Sequence, residues 1–566
     1  MRRLVRRQAH GHLDGDLPPL IQRLYTGRGI VSSSQVDHQL KYLEPPGSMK
    51  GLDDAVVLLS DAVTARQRIL VIGDFDADGA TSCALLVLAL TSLGAEHVDY
   101  LVPNRFEFGY GLTPEIVAVA AGRSPDLLIT VDNGISSVDG VAAARNRGMK
   151  VLITDHHLPG AQLPDADAIV NPNQAGCEFP SKHLAGVGVA FYLVSALRQH
   201  LREKDWFGAG GIEEPNLAAF LDLVALGTIA DVVPMDYNNR ILAQEGIRRI
   251  RGGRSRPGIL ALLDLAGAER QRVVARDLAF GVAPRLNAAG RLEDISLGIE
   301  CLLTDSEQRA GELAARLDAL NRERRAIEQE MKLEAQHALD ALTVSGKSFG
   351  VCLFREDWHQ GVVGIVASRI KDEIHRPVIA FARTGDEELK GSARSIAGLH
   401  IRDALDSIAA RNPGLVLRFG GHAMAAGLSL SPDNFDRFAR EFDIEARRWL
   451  SDDDLEQVIV SDGEIEAALT LETVRQIMEA SPWGQGFAEP LFDGEFEVIS
   501  QRIVAERHLK LQLRQRTSNQ TLDAIAFNQD RLLDGRYRRM AYRVDINTWR
   551  GRSSVQLVVE AVEVAT

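Results

Sequence analysis

Three aspartates occupy alternate positions directly after a short apolar segment. Asp74, Asp76 and Asp78 belong to the stretch Asp74-Phe-Asp-Ala-Asp-Gly79, which follows Ile69 to Ile72. An apolar run of this length predicts a buried strand, and the apolar residues from 80 to 93 predict a helix packed on it. Carboxylates this close repel one another unless a cation lies between them, and oxygen ligands suit Mg²⁺ or Mn²⁺. The stretch therefore predicts a metal site at the carboxyl end of a strand.

Two other interpretations of the acidic stretch are open. Asp-x-Asp-x-Asp-Gly also begins a calcium-binding EF-hand loop, but that loop needs a glutamate at its twelfth position and a preceding helix. The twelfth residue here is Leu85, and a strand is expected before the motif. The second alternative is a solvated acidic turn, which the triplet alone does not exclude.

The same pattern returns further along the chain. The apolar segments 98–102, 127–132 and 151–155 alternate with helical segments such as 138–147, which is typical of βαβ units and a parallel sheet. The third and fourth strands end in Asp132 and in Asp155-His156-His157, and the apolar segment 220–229 ends near Asp231. Because parallel strands place their carboxyl ends at one edge, these side chains are expected to meet there.

Together these residues have the composition of a two-metal centre. Asp76, Asp78, Asp132, His156 and Asp231 offer ligands for two divalent cations, with one carboxylate bridging them. Two such cations stabilise the attacking and leaving oxygens of a phosphoryl displacement. Imidazole among the ligands favours Mn²⁺ without excluding Mg²⁺. Each acid taken alone is more often a helix cap or surface residue, and a lone histidine more often a core residue; the joint pattern favours the metal centre.

Composition limits the class of protein. A chain of 566 residues predicts two to four domains. The net charge of −14 argues against a uniformly basic surface but allows a local basic channel. The four cysteines are far apart, which is typical of reduced thiols in a cytoplasmic protein. The first residues lack the apolar core of a signal peptide, and no stretch is a convincing membrane span.

The motif set identifies a family. Asp74–Gly79, Val131-Asp-Asn-Gly134, Asp155–His157 and Gly227-Thr-Ile-Ala-Asp231 resemble the motifs of the DHH phosphoesterases, most closely their branch of bacterial single-strand-specific DNA exonucleases. The resemblance spans essentially the whole chain. It implies metal ligands at Asp76, Asp78, Asp132, His156 and Asp231. It also implies that Asp74, Asp155 and His157 support those ligands or contact phosphate.

The middle of the chain contains candidate phosphate-binding residues. Residues 277–291 are expected to form a loop in which Arg285, Asn287 and Arg291 grip phosphate; the alternative is a solvated turn. The uninterrupted helical pattern from 306 to about 342 predicts a long helix that spaces two domains. The resemblance agrees, since its members join two catalytic halves by such a helix.

The segments 391–395 and 419–427 are expected to be glycine-rich turns leading into helices, which offer backbone N–H groups to an anion. They resemble the DHH-associated domain, which closes over the metal site. The resemblance implies a pocket for the 5′ end of the substrate and two histidines facing the scissile phosphate. The pocket residues would be Arg285, Ser392 and Arg394, with Gly420 and Gly421 beside them, and the histidines would be His359 and His422.

The C-terminal segment has its own charge balance. Residues 501–566 contain 12 lysines and arginines against 7 acids, with Tyr537, Tyr542 and Trp549 among the arginines. Stacking aromatics in a positive groove are what single-strand binding requires. The alternative is a small basic β-domain whose aromatics form its core. The resemblance implies an oligonucleotide-binding (OB) barrel.

The resulting expectation is an α/β protein with a DHH-type parallel-sheet domain and a DHH-associated α/β domain joined by a long helix, plus a C-terminal OB-like β-barrel. The expected segments are 1–50, 51–300, 301–345, 346–450 and 451–566. The implied activity is 5′→3′ hydrolysis of single-stranded DNA to mononucleotides with two Mn²⁺ or Mg²⁺ ions. The resemblance also implies a role in DNA repair and recombination, including mismatch repair. Its partners would be a helicase and a single-strand-binding protein.

Two alternative functions stay open at this point. One is another DHH phosphoesterase, acting on oligoribonucleotides or cyclic dinucleotides, which would not need the basic C-terminal segment. The other is a non-catalytic nucleic-acid-binding replication factor with the same fold, which would have no reason to keep all five metal ligands.

Overall fold

The computed structural model describes residues 2–102, 111–343, 348–385, 388–549 and 551–563. Its first half is built on a parallel five-stranded sheet. The N-terminal elements before this sheet are β1 (Arg2–Arg6), α1 (Pro19–Thr26) and α2 (Leu52–Thr64). The sheet and its crossover helices are β2 (Arg68–Ile72), α3 (Ala77–Ser92), β3 (His97–Leu101), α4 (Pro114–Ala121), β4 (Leu127–Val131), α5 (Val138–Arg145), β5 (Lys150–Thr154) and β6 (Ala168–Val170).

The strand order is β3-β2-β4-β5-β6, with every neighbouring pair parallel. The sequence predicted the strands β2 to β5 within one residue. The central strand β4 is buried at all five positions, as expected for a sheet covered on both faces. The ends of β2, β4 and β5 therefore lie side by side.

A helical layer follows and leads to the second half. Its helices are α6 (Gly186–Glu203), α7 (Trp206–Gly210), α8 (Leu221–Ala230), α9 (Tyr237–Arg251), α10 (Pro257–Leu265), α11 (Ala283–Leu292), α12 (Ser296–Leu303) and α13 (Glu307–Thr343). The 37-residue helix α13 is the long connection predicted from sequence. The prediction of a loop at 277–291 was wrong: these residues form a π-helical turn (Asp277–Val282) and α11. Pro284 lies in the first turn of α11, where proline is tolerated.

The second half contains a mixed five-stranded sheet in the order β10-β11-β9-β8-β7. Its elements are β7 (Val351–Phe354), α14 (Val363–Ile374), β8 (Val378–Thr384), β9 (Glu388–Arg394), α15 (Ile401–Arg411), β10 (Arg418–Gly421), β11 (Ala425–Leu430) and α16 (Phe435–Trp449). The two glycine-rich segments are strands β9, β10 and β11 rather than turns into helices. Along β9, partly exposed residues alternate with buried ones, so one face of this strand is accessible. The sequence analysis did not predict this.

The C-terminal part is a closed five-stranded barrel in the order β13-β14-β15-β17-β16. Its elements are β12 (Gln457–Ser461), α17 (Leu471–Glu479), β13 (Phe492–Val504), β14 (His508–Gln515), β15 (Thr521–Ala526), β16 (Tyr537–Trp549) and β17 (Arg552–Val562). Strand β12 pairs in parallel with β1, so the N-terminal strand joins the start of the C-terminal part. The barrel fold confirms the OB-like expectation.

The cores show which parts belong together. One continuous apolar cluster contains α3, α6 and α8 of the first half together with barrel residues such as Phe492 and Leu511. The second sheet has its own clusters, one of which includes Met331 and Ala335 of α13. Barrel and first half are thus one packed unit, with the second sheet attached by α13. Among the described residues, no helix is long and apolar enough to cross a membrane.

Candidate two-metal active site

The strand ends bring the predicted acids together. Asp74 follows β2, Asp132 follows β4 and Asp155 follows β5, at one edge of the sheet. Asp231 reaches the same place from the end of α8. Three groups of side chains place a ligand atom from each member within 4.8 Å of the others: Asp74, Asp76 and Asp132; Asp78, His156 and Asp231; and Asp132, His156 and His157.

Asp132 belongs to two of these groups, as a bridging carboxylate would. His156 Nε2 lies 3.1 Å from Asp132 Oδ1 and 3.4 Å from Asp231 Oδ2. This buried nitrogen makes no hydrogen bond within the described part of the chain despite those neighbours. A ring nitrogen aimed at carboxylate oxygens without an aligned hydrogen bond fits a position that shares a cation with them.

Asp76 and Asp78 are held by backbone N–H groups. Asp76 is the N-cap of α3, and its Oδ1 accepts from the N–H groups of Asp78 and Gly79 at 2.9 and 3.0 Å. Asp78 accepts from the first turn of α6: Gly186 N–H donates to Oδ2 at 2.6 Å and Val187 N–H to Oδ1 at 3.0 Å. The helix-cap interpretation of Asp76 is thus correct in part, and both carboxylates are pre-oriented.

The electrostatics of the cluster favour a cation. Burial and the nearby Asp76 carboxylate raise the pKa of Asp78 to about 7. Burial and the surrounding acids likewise raise the pKa values of Asp132 and Asp231 well above their usual range. Burial, with His157 nearby, lowers the pKa of His156 to about 4, which keeps the imidazole neutral. A divalent cation would relieve the repulsion among these carboxylates, and a neutral imidazole can serve as a further ligand.

Asp155 orients the histidine pair. Its Oδ1 accepts from the His156 and His157 backbone N–H groups and lies 2.8 Å from His157 Nδ1, and its Oδ2 accepts from Ile135 N–H at 2.9 Å. Burial alone would raise the pKa of Asp155, but the His157 hydrogen bond and both histidines lower it. Asp155 therefore positions the His157 ring, and both of its carboxylate oxygens already have partners within the protein.

Sequence reasoning missed several residues that build this site. The side-chain amides of Asn171 and Asn173 donate to the carbonyls of His157 and His156. At Gly186, a Cβ would lie 2.6 Å from Asp132 Cβ. The only sequence signal was the Asn171-Pro-Asn173 turn after a strand, which by itself predicts no more than a loop.

The second half covers the site. The His422 ring is stacked on that of His157, with centroids 6.2 Å apart and planes at 19°. Burial, with His157 beside it, lowers the pKa of His422. His359 lies near the same interface: its Nδ1 accepts from Gly361 N–H at 3.1 Å, and the Arg291 guanidinium donates to the Gly361 carbonyl. The structure thus places both histidines on the domain that faces the metal-ligand cluster.

A polar cavity of about 440 Å³ lies beside this interface. Arg291 enters it from the first half, and Ser392, Arg394 and Gly420 line it from the second. Arg394 donates to Ser392 Oγ at 3.0 Å, and burial lowers the pKa of this arginine. Gly421 lies next to it, with a φ of 144°. Three arginines (Arg291, Arg394 and Arg418) and Lys390 in one cavity favour an anionic occupant such as phosphate.

Two of the predicted substrate residues have other contacts. Arg285 is buried and paired with Asp318, and it also donates to the carbonyls of Gly281 and Leu265. Asn287 Oδ1 accepts from Ala77 N–H at 2.8 Å, at the start of α3. The structure therefore gives both residues roles in the scaffold, and Arg291 occupies the position beside Ser392 and Arg394 that was expected for Arg285.

The aromatic residues of the barrel, which were expected to stack on bases, do not share one environment. Tyr542 is buried in the barrel core against Phe496, as the alternative interpretation proposed. Tyr537 is 54% exposed, between the guanidinium groups of Arg516 and Arg536. The side chain of Trp549 lies outside the described residues. Several arginines pair with acids of the preceding segment, among them Arg536 with Glu497 and Arg539 with Asp493, so the surface is less basic than the count suggests.

Comparison with known proteins gives a consistent result. The chain matches the DHH family N-terminal domain at residues 68–228, the DHHA1 domain at 346–447 and the RecJ OB domain at 461–561. It is 54% identical to the single-stranded-DNA-specific exonuclease RecJ of Dickeya dadantii, over 98% of this chain and 97% of that protein. The chain belongs to the RecJ family.

Other RecJ proteins support the assignment. The chain is 52% identical to RecJ of Escherichia coli, over 97% of this chain and 96% of that one. The crystal structure of Thermus thermophilus RecJ in complex with Mn²⁺ matches with a TM-score of 0.79 at 29% identity, over 100% of this chain and 80% of that one. The same protein has been crystallised with Mg²⁺. The donor set described above fits either ion.

Proposed function

We propose that this protein is a metal-dependent exonuclease that hydrolyses single-stranded DNA from its 5′ end and releases mononucleotides. The observation that carries the proposal is the meeting of Asp74, Asp76, Asp78, Asp132, His156 and Asp231 at one sheet edge, with Asp132 common to two ligand groups. Relatives named single-stranded-DNA-specific exonucleases share the whole chain at more than half identity. Alone, the ligand set would also serve other phosphoesterases.

The chain's residues prepare the site for phosphodiester hydrolysis. Two bound divalent cations would supply Lewis acidity and a water nucleophile at neutral pH. The N–H groups at the start of α6 fix the Asp78 carboxylate, and Asp155 fixes the His157 ring. Burial lowers the pKa of His422, which favours its neutral form against the substrate. Such fixed groups need little reorganisation in the transition state.

The arrangement of the two halves supports the expected polarity. In our proposal, the cavity of Arg291, Ser392 and Arg394 binds the terminal 5′ phosphate, and the scissile phosphate lies at the metal ligands. The terminal nucleotide would span the distance between them, which yields mononucleotides. The closed approach of the two halves at His157 and His422 would exclude a duplex.

We further propose that the protein acts in the cytoplasm, in repair and recombination, with a helicase and a single-strand-binding protein that supply its substrate. All four cysteines are free thiols, as is usual in a reducing compartment. The partners follow from the activity, because single strands in a cell arise by unwinding.

End-labelled single-stranded DNA tests the activity. With Mn²⁺ or Mg²⁺, labelled mononucleotide should appear early only from the 5′-labelled strand, and EDTA should stop its release. Early release from the 3′ label would contradict the polarity and the assignment of the phosphate cavity. Hydrolysis of dinucleotides without degradation of DNA would place the protein among the small-substrate phosphoesterases. A matched hairpin duplex serves as the control and should resist.

A further inference from the structure

A second cavity lies between the metal-ligand cluster and the barrel. It encloses about 360 Å³, at the lower end of the range for small-molecule sites. Its walls come from the end of α8, from the π-helical turn at Asp277–Val282 and from the loop before β13. Asp231 is flanked in sequence by two residues of this wall, Ala230 and Val232.

The local backbone at this cavity is unusual in two places. Val232 has a φ of 60° and a 63% exposed side chain. Left-handed backbone is strained for a β-branched residue, and such strain concentrates at functional sites. Phe280 is 68% exposed and belongs to the π-helical turn, a conformation that is frequent at functional sites. Two exposed apolar side chains therefore line one cavity, and each belongs to a residue with an unfavourable backbone conformation.

The lining of the cavity disfavours an anion and favours a planar, largely apolar ligand. Its two arginines, Arg276 and Arg543, both pair with Glu489, and each pairs with a further acid. The rest of the wall is largely apolar, with Ile229, Val233 and Met478 among its side chains. Apolar walls with neutralised cations match a nucleobase better than a phosphate.

We propose that this cavity binds a nucleobase of the DNA strand, between the scissile phosphate and the barrel, with Phe280 as the stacking surface. The proposal deepens the proposed function and rests on it. Trp483 is a rigid wall of the site: its Nε1–H donates to the Ile477 carbonyl at 2.9 Å, and its ring stacks on Phe487. Stacking on an aromatic face tolerates every base, as a sequence-independent exonuclease requires.

Abasic-site scanning on the full-length protein tests the proposal. One 5′-phosphorylated oligonucleotide is prepared in versions that each lack the base at one of the first six positions. With the wild type, one internal abasic position should raise KM by about tenfold, the loss expected for one stacked base. Phe280→Ala should raise KM for the intact strand by a similar factor. On the strand that lacks the base at the sensitive position, Phe280→Ala and wild type should have the same KM.

Controls separate this result from damage to the fold. Phe280→Trp should restore the wild-type KM, and Leu333→Ala, which removes an exposed apolar side chain of α13, should leave it unchanged. Equal KM values for Phe280→Ala and wild type, or additive effects of substitution and abasic site, would overturn the proposal. A wild type that leaves single strands intact would overturn the proposed function as well.

Discussion

The imidazole rings of His157 and His422 are stacked 6.2 Å apart, although the two residues belong to different domains. His157 follows the sheet of the first half, and His422 lies between strands β10 and β11 of the second. Asp155 fixes the first ring through Nδ1. The pair therefore marks where the two halves must meet for the site to be complete.

Replacing His422 tests the importance of this meeting point. We expect His422→Ala to lower kcat on single-stranded DNA by about 10²-fold, the range for loss of one positioned imidazole. The melting temperature should hardly change, because His422 is exposed. Steady-state kinetics beside His97→Ala, an exposed histidine on β3, gives the comparison. Equal loss in both variants would contradict a specific role.

Asp132→Asn should separate metal binding from stability. Asparagine tolerates the left-handed backbone at this position, where φ is 59°. Removing one charge from crowded buried carboxylates should raise the metal-free unfolding free energy by on the order of 1 kcal/mol. The stabilisation by Mn²⁺ that we expect for the wild type should be lost.

Asp222→Asn provides the matched comparison for that experiment. Asp222 is also buried, but its Oδ2 accepts from Ser255 Oγ–H and Arg256 N–H. The same substitution there should destabilise the protein and leave the Mn²⁺ effect intact. A lower metal-free stability for Asp132→Asn would show that carboxylate repulsion does not dominate the cluster.

A methyl group at Gly186 should disable the site. Its Cβ would lie 2.6 Å from Asp132 Cβ and 2.9 Å from Asp132 Oδ1, so Gly186→Ala must displace this candidate ligand. We expect activity to fall by about 10²-fold or more, as for misplacement by about 1 Å. Gly188→Ala lies on the same helix, where the nearest atom is the flexible Leu184 Cδ2 at 3.1 Å. Activity of this control should be close to wild type.

The arginine pair of α11 allows a test of the phosphate cavity. Arg291→Lys should raise KM for 5′-phosphorylated strands by about tenfold and leave stability unchanged, because a lysine cannot form the same paired contacts. Arg285→Lys should lower the stability and leave KM unchanged, because Arg285 pairs with Asp318 within the scaffold. Thermal unfolding and KM measured on both variants give the answer. A KM effect at Arg285 without loss of stability would restore the original sequence prediction.

Asp493 predicts an acid-sensitive step in unfolding. Burial would raise its pKa, but hydrogen bonds from Arg6, Ser461 and Arg539 lower it to about 2. Because this pKa lies below that of the unfolded chain, the contribution is complete above about pH 4 and is lost as the pH falls toward 2. The stability difference between wild type and Asp493→Asn should shrink by about 2 kcal/mol between pH 5 and pH 2.5. A difference that is constant with pH would contradict the assignment.

The sequence predicted the parts of this fold that are periodic. Strands β2, β4 and β5 with their terminal acids were found because an apolar run and the charge after it are local signals. The π-helical turn and the strands around Gly420 were missed. The pairing of β1 with β12 was missed because the two strands lie about 450 residues apart in the chain. Arg285 and Arg291 look equivalent in sequence, but their contacts differ: Arg285 pairs with Asp318, whereas Arg291 donates to the Gly361 carbonyl.

The loop that carries Asp231 is completed by the far end of the chain. Met235 N–H donates to the Gln485 carbonyl at 2.7 Å, and the Arg240 guanidinium lies over the Phe487 ring. Truncation near Leu450 would therefore damage the metal site as well as remove the barrel, which makes single substitutions the better test of the barrel's role.

This dependence also has a consequence during synthesis. Strand β1 leaves the ribosome first, yet its partner β12 is made about 450 residues later, on the order of a minute at ordinary elongation rates. Until then the growing chain has neither its N-terminal pairing nor the support of its Asp231 loop. We therefore expect a nascent chain to lack nuclease activity until β12 and the segment around Gln485 have been translated.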